Sequence, residues 1–256
     1  MWDPTQYLKF TNERSRPFFD LLAQVQCEAP KSIVDLGCGP GTLTKTLVER
    51  WPMAKVVGMD YSREMLEQAK TLSVLGRLEF VEGDIGRWSP SAPVELIVSN
   101  AAFQWVGDHE RLLARLFDML TNDGTLAAQI PCRFDGPSYA AIAATVANPQ
   151  WASRLQGLGL KPESVKSIDW YVHQLHGLGF DVNAWETTYI HVLRGENPIL
   201  EWMRGTALRP YLSKLDAAEA AEFERDLGGR LRQAFPERNG LTLFQFPRLF
   251  FVATKR

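Results

Sequence analysis

Three carboxylates and a glycine run define the chemistry this chain can attempt. Val34-Asp35-Leu36-Gly37-Cys38-Gly39-Pro40-Gly41 places a G-x-G-x-G run directly after an apolar stretch, Ser32 to Leu36. Glycine turns the backbone sharply and lets a ligand approach with no Cβ in the way. The helix-like segment that follows offers unsatisfied N–H groups to something polar. Asp60 lies 23 residues beyond Gly37, at the end of the next apolar stretch. Nucleotide-binding βαβ units place there the carboxylate that holds ribose hydroxyls, although an aspartate can also cap the helix after it. Asp84 follows a third apolar stretch, in Gly83-Asp84-Ile85. Dinucleotide loops are longer, G-x-G-x-x-G, and face a pyrophosphate. Here Asp35 stands beside the short loop, and like charges repel at close range. The pattern suits a ligand with an amino group and disfavours a pyrophosphate.

The elements that must position these residues alternate between strand and helix. Strands are expected at Ser32–Leu36, Lys55–Met59, Leu78–Val81, Val94–Ser99 and Thr125–Ile130. Helical periodicity falls between them, at Glu13–Val25, Thr42–Trp51, Ser62 to about Leu72 and His109–Leu120, with a turn at Asn122-Asp123-Gly124. Such alternation predicts an α/β fold, a doubly wound and mostly parallel sheet with helices on both faces. Beyond residue 132 the pattern loosens. Ile168 to Leu178 reads as a helix, and Phe180 to Leu193 as a long strand with Trp185, Thr187, Tyr189, His191 and Leu193 on one face. A helical stretch from Pro198 to about Leu215, an amphipathic helix from Ala217 to Phe235 and a last strand broken by Pro247 complete the chain. One domain over residues 1–256 is expected, with helical cap segments at about 132–165 and 195–238. Gln104 and Trp105 follow the fourth strand, at the sheet edge where an acceptor would sit. His109, His173 and His176 are expected to face solvent.

Composition narrows the partners. The 256 residues carry a formal net charge of −2, with a pI of about 6.1, and show no nucleic-acid footprint. No apolar run is long enough for a membrane span, and the first ten residues lack the apolar centre of a secretion signal. Cys27, Cys38 and Cys132 show no metal-ligand or C-x-x-C spacing and read as thiols of a cytoplasmic protein. No metal is expected.

The acidic residue before G-x-G-x-G, the acid ending the second strand and the acid after the third resemble the class I S-adenosylmethionine-dependent methyltransferases. The resemblance implies S-adenosyl-L-methionine as cofactor and S-adenosyl-L-homocysteine as product. It counts Asp35 among the cofactor-binding residues and places Gly37 and Gly39 beside the methionine portion and Asp60 on the ribose diol. Tyr61 and Met65 would flank the adenine, Asp84 and Ile85 would hold its amino group and ring, and Asn100 would lie by the methionine moiety. Further segments resemble the trans-aconitate 2-methyltransferases: Trp2-Asp3-Pro4 with Tyr7, Glu13 to Pro17, Asn100 to Trp105, Thr187 to His191, Gly205 to Tyr211, and Phe246 to Phe250. Ala101-Ala102-Phe103 departs from the more polar, leucine-containing version expected there.

That family implies methyl transfer to a carboxylate of a small tricarboxylate. A carboxylic acid is already ionised at neutral pH, so no general base is required. The protein must align the reactants and exclude water. A buried polyanion needs paired donors, and arginine's planar fork meets a carboxylate with two hydrogen bonds. The candidates for acceptor binding are Arg14, Arg204, Arg209 and Arg248, with Tyr7, Tyr189, Tyr211, Gln104, Trp105 and His191; Arg16 is a weaker one. Arg204 and Arg209 would point about 140° apart on one continuous helix, so both reach one ligand only if it bends or ends between them. A phenol, amine or carbon acceptor would need a base, and His191 would then matter. A nicotinamide-dependent oxidoreductase and a non-catalytic cofactor-binding module are the alternatives from other classes.

Overall fold

The computed structural model describes residues 11–159 and 162–256, with side chains from Ser15 onward apart from that of Pro162. Among these residues, seven strands form one sheet: β1 (Ser32–Leu36), β2 (Lys55–Asp60), β3 (Leu78–Glu82), β4 (Val94–Asn100), β5 (Leu120–Pro131), β6 (Phe180–Leu193) and β7 (Thr242–Lys255). The order is β3-β2-β1-β4-β5-β7-β6. β1 to β5 pair in parallel, and β7 runs antiparallel to β5. β1 and β4 are buried almost throughout, as strands covered on both faces must be. The strand order reverses at the β1–β4 boundary. In open α/β sheets that switch point opens a crevice beyond the carboxyl ends of the strands.

The described helices are α1 (Thr11–Leu22), α2 (Thr42–Arg50), α3 (Arg63–Lys70), α4 (His109–Met119), α5 (Pro137–Val146), α6 (Pro149–Leu155), α7 (Ile168–Leu178), α8 (Pro198–Arg204), α9 (Arg209–Leu212) and α10 (Ala217–Ala234). Their starts follow the chemistry of the residue before them. Ser62, Asp108 and Ser167 accept the N–H groups of Met65, Arg111 and Trp170, and Asp216 forms a capping box with Glu219. No described helix is long and apolar enough to cross a membrane.

Contacts divide the chain into two compact units. The first comprises Arg14–Cys132, Glu163–Thr187 and Arg248–Arg256. Its core packs Val34, Leu36, Met59, Ile97, Leu113 and Leu126 with Tyr171, Phe180 and Phe251. The second includes Arg133–Pro162 and Thr188–Pro247, and its own core gathers Trp151, Trp202, Leu208, Phe223 and Phe244. The segments expected as caps contribute most of that second unit.

Four local expectations change. The helical stretch expected from Pro198 to Leu215 is two short helices, because Gly205 caps α8 and Pro210 opens α9. β7 runs unbroken through Pro247, whose missing N–H falls just outside the ladder with β5 that begins at Arg248. Asn122-Asp123-Gly124 lies inside β5 as a register shift against β4, with Asp123 at φ 62°. His109 is buried, not solvent-facing.

Candidate active site

The glycine loop is held to the second strand by its own backbone. The N–H groups of Gly37 and Cys38 both donate to the Met59 carbonyl, at 2.7 and 3.0 Å. Gly37 has φ +81°, and a Cβ there would stand 2.4 Å from the Cβ of Ala102, in the loop after β4. Gly39 has φ +55°, and a Cβ there would meet nothing within 4 Å. One glycine is therefore demanded by packing, the other by backbone conformation beside open space. Gly39 N–H donates to Asp60 Oδ2 at 2.9 Å, and Ser62 N–H donates to Asp60 Oδ1 at 2.8 Å. Each oxygen keeps a lone pair for a ligand hydroxyl.

Asp35 lies under the loop, 3 % exposed, and accepts the Thr44 hydroxyl at 2.6 Å. Burial pushes its carboxyl up to about 7, against the Thr44 hydrogen bond and with help from the nearby Asp60 charge. A cation bound beside it would restore its ionised form. Burial raises the Cys38 thiol far above its usual range, which removes it as a nucleophile.

Asp84 and Ile85 sit on the loop after β3. The Asp84 carboxylate accepts the Gly86 N–H at 2.7 Å and stays exposed, and Ile85 is half-buried close to Gly37. Arg115 of α4 fastens this loop by donating to the carbonyls of Ile85 at 3.1 Å and Trp88 at 2.6 Å. Asp84 also borders a cavity of about 740 Å³ that runs along Val106 and Leu112 to Arg87 and Arg111. Tyr61 is exposed and Met65 buried.

Asn100 ends β4 with its Oδ1 buried and without a hydrogen-bond partner. Gln104 donates from Nε2 to the Ala101 carbonyl at 2.6 Å, while its buried Oε1 has none. Trp105, half exposed, completes a short 3-10 turn, Phe103–Trp105. His109 anchors this turn. Its Nε2 lies 2.8 Å from the Phe103 carbonyl, which can only accept, so Nε2 carries the proton and Nδ1 accepts the Tyr171 hydroxyl at 2.5 Å. Burial lowers the His109 pKa and keeps the ring neutral. Across the sheet, Arg248 is 4 % exposed, and its Nη1 donates to Gln129 Oε1 at 2.8 Å. The first unit thus brings together the glycine loop, Asp35, Asp60, Tyr61, Met65, Asp84, Ile85, Asn100, Gln104, Trp105 and Arg248 at the carboxyl ends of its strands.

Sequence reasoning missed Arg115, His109 and Gln129. Arg115 and His109 are ordinary helix residues by sequence, and their partners are backbone carbonyls and a hydroxyl far along the chain. Gln129 carried a weak signal: a long polar side chain inside the otherwise apolar run 126–131.

The remaining candidates fall elsewhere. Tyr189 and His191 are buried on the same face of β6 in the second unit, where His191 stacks on Trp202 at 4.4 Å. Arg204 has its fork taken by Glu224, at 2.8 and 2.9 Å, and its remaining nitrogen by Glu201. The helix does end between Arg204 and Arg209, and Arg209 opens α9 half-buried. Tyr211 donates its hydroxyl to the Leu158 carbonyl at 2.9 Å and packs against Gly159. Tyr7 lies outside the described residues, and so does the side chain of Arg14.

Residues 33–124 match the methyltransferase domain family. That span holds the glycine loop, the three acids, Asn100, Gln104 and Trp105, but not Gln129 or Arg248. Over 261 residues the chain is 43 % identical to the trans-aconitate 2-methyltransferase of Streptomyces avermitilis, covering 99 % of this chain and 97 % of that one. The chain belongs to the trans-aconitate 2-methyltransferase family. Another member, from Mycolicibacterium gilvum, is 42 % identical, with 99 % and 98 % covered. The likeness to the trans-aconitate 2-methyltransferases therefore extends over the β5 and β7 segments that carry Gln129 and Arg248. The fold is shared more widely: the YcgJ protein of Bacillus subtilis superposes with a TM-score of 0.60 at 15 % identity, over 94 % of this chain and 98 % of its own.

Proposed function

We propose that this protein esterifies one carboxylate of trans-aconitate, or of a similar small tricarboxylate, with the methyl group of S-adenosyl-L-methionine. The observation that carries the proposal is the placement of Arg248. A buried guanidinium stands at the carboxyl edge of the sheet, with one strand, β5, between it and Asn100. Positive charge and a donor fork at that edge suit a carboxylate entering a dry site, and the family's named activity supplies a tricarboxylate.

The residues present fit the cofactor. Asp60 would hold the ribose diol with its remaining lone pairs, Asp84 the adenine amino group, and Ile85 with Met65 the ring faces. Asp35 and the unpartnered Oδ1 of Asn100 would receive the ammonium end. When bound, S-adenosyl-L-methionine supplies an electrophilic methyl carbon, which a carboxylate oxygen takes as the C–S bond breaks and its electron pair stays on sulfur. The protein's own work is orientation and exclusion of water. Arg248 would neutralise the acceptor and turn one of its oxygens toward the methyl group. Gln104 and Trp105 would line the same edge, with Trp105 closing the site over the acceptor.

A base is not needed for a carboxylate acceptor. His109, the histidine beside the Gln104–Trp105 turn, is neutral and committed on both nitrogens, which disfavours acceptors that require proton removal. Arg209, Tyr189, His191 and Tyr211 stay in the proposal as acceptor-binding candidates, along with Tyr7 and Arg14. No disulfide joins any of the three cysteines, which fits work in the cytoplasm.

Labelled S-adenosyl-L-methionine incubated with a panel of di- and tricarboxylates tests the reading. The expected product is a base-labile methyl ester, formed fastest with trans-aconitate. Label appearing only in phenols, amines or carbon acids overturns it.

A further inference from the structure

We infer that Gln129 is a specificity-determining residue for the acceptor: it sets the Arg248 guanidinium and donates its own Nε2–H to a carboxylate oxygen of the polycarboxylate. The inference rests on the methyl-transfer reading above and extends it to a residue outside the cofactor motifs.

Gln129 is fully buried on β5, in register with Asn100 of β4 and Phe250 of β7. Side chains in register across neighbouring strands share one face of the sheet, and Arg248, two residues from Phe250, shares it too. An arginine only donates, so the amide must present its oxygen to Arg248, and its NH2 group faces away. That Nε2 is buried with no hydrogen-bond partner. Asn100 Oδ1, on the adjacent strand, is an orphaned acceptor. Buried polar atoms left unsatisfied are rare, and where several gather at one sheet edge a bound ligand or ordered water is the natural partner.

A carboxylate accepts and never donates. Gln129 Nε2–H is an unused donor beside the Arg248 guanidinium, and a donor next to positive charge is what a carboxylate requires. The neutral amide matters as much as its position. A glutamate here would hold Arg248 equally well, but it would cancel charge meant for the acceptor and repel a polyanion.

Gln129→Glu separates this role from a packing role, because it keeps an oxygen for Arg248 while removing the donor and adding negative charge. Calorimetry of tricarboxylate binding to the complex with S-adenosyl-L-homocysteine, together with steady-state kinetics, reads the result. The expected outcome near neutral pH is a rise of about tenfold or more in acceptor Kd and KM, equivalent to about 1.4 kcal/mol. Affinity for S-adenosyl-L-homocysteine and the melting temperature should be unchanged. The ratio of the variant's acceptor KM to that of the wild type should fall as pH is lowered toward the range where the introduced carboxylate protonates. Gln129→Leu, which adds no charge, should show a smaller rise with no pH dependence of its own. Unchanged acceptor binding in Gln129→Glu overturns the assignment, leaving an ordered water as the partner of Nε2. A selective loss of S-adenosyl-L-homocysteine affinity also overturns it, since the carboxylate would then be the cofactor's. If the wild type itself binds no polycarboxylate, the functional reading fails and takes this inference with it.

Discussion

The Asp60 carboxylate accepts the Gly39 N–H at 2.9 Å, so the residue placed to hold the ribose also clamps the loop that passes beside the methionine portion. With Ser62 N–H on the other oxygen, two backbone donors converge on one side chain. Asp60→Asn would turn an NH2 group toward one of those donors. We expect it to weaken S-adenosyl-L-homocysteine binding by about tenfold or more and to destabilise the protein by about 1–2 kcal/mol. Isothermal titration and urea unfolding check the two parts. Intact affinity in Asp60→Asn would show that the carboxylate serves the loop alone.

Asp35 makes cofactor affinity pH-dependent. Its carboxyl, pushed up to about 7 by burial, ionises over the neutral range, and a cationic ligand prefers the ionised form. Affinity for S-adenosyl-L-methionine should therefore rise between pH 6 and about 8. Stability of the ligand-free protein runs the other way. The folded state holds a proton that the unfolded chain releases near pH 4, so this contribution is full below about 4 and is lost as pH rises to about 7. Asp35→Asn should flatten both trends, gaining ligand-free stability at pH 8 while losing cofactor affinity. Titrations and unfolding at three pH values suffice.

His109 has the opposite linkage. Burial lowers its pKa in the folded state, so the unfolded chain binds the proton more readily. Its contribution to stability is present above about 6.5 and declines as pH falls below that value. His109→Leu strands the Phe103 carbonyl and the Tyr171 hydroxyl. We expect a loss of about 2–3 kcal/mol in urea unfolding. A lowered kcat/KM with unchanged cofactor affinity should accompany it, because the Gln104–Trp105 turn loses its anchor.

Arg204 and Arg209 should part company on substitution. Arg204 is engaged by two glutamates, and its half-exposed position limits the tie to about 1 kcal/mol. Arg204→Ala should thus soften the second unit without altering acceptor KM. Arg209→Ala should raise acceptor KM. Kinetics showing the reverse assignment would exchange their roles.

Much of the fold was legible because its signals are local. Apolar strands of five to seven residues mark β1 to β4, and the helical periodicity that follows three of them marks α2 to α4, all within a residue or two. The glycine loop and its acids were legible for the same reason, since short spacing encodes their geometry. What remained hidden depends on chain-distant partners. His109 reads as a surface helix residue until Tyr171, 62 positions later, comes to meet it. Arg204 reads as a free cation until α10 brings Glu224 against it. The break between α8 and α9 was only a conditional possibility, because Gly205 and Pro210 weaken a helix without dictating where it stops.

The close approach of Gly37 and Ala102 has a bearing on how this enzyme can diversify. The two loops touch where neither has volume to yield, so enlarging either residue would drive its neighbour away. Evolution, or a designer seeking a new acceptor, must leave that wall thin and vary the end of the same turn, where Trp105 stands half in solvent.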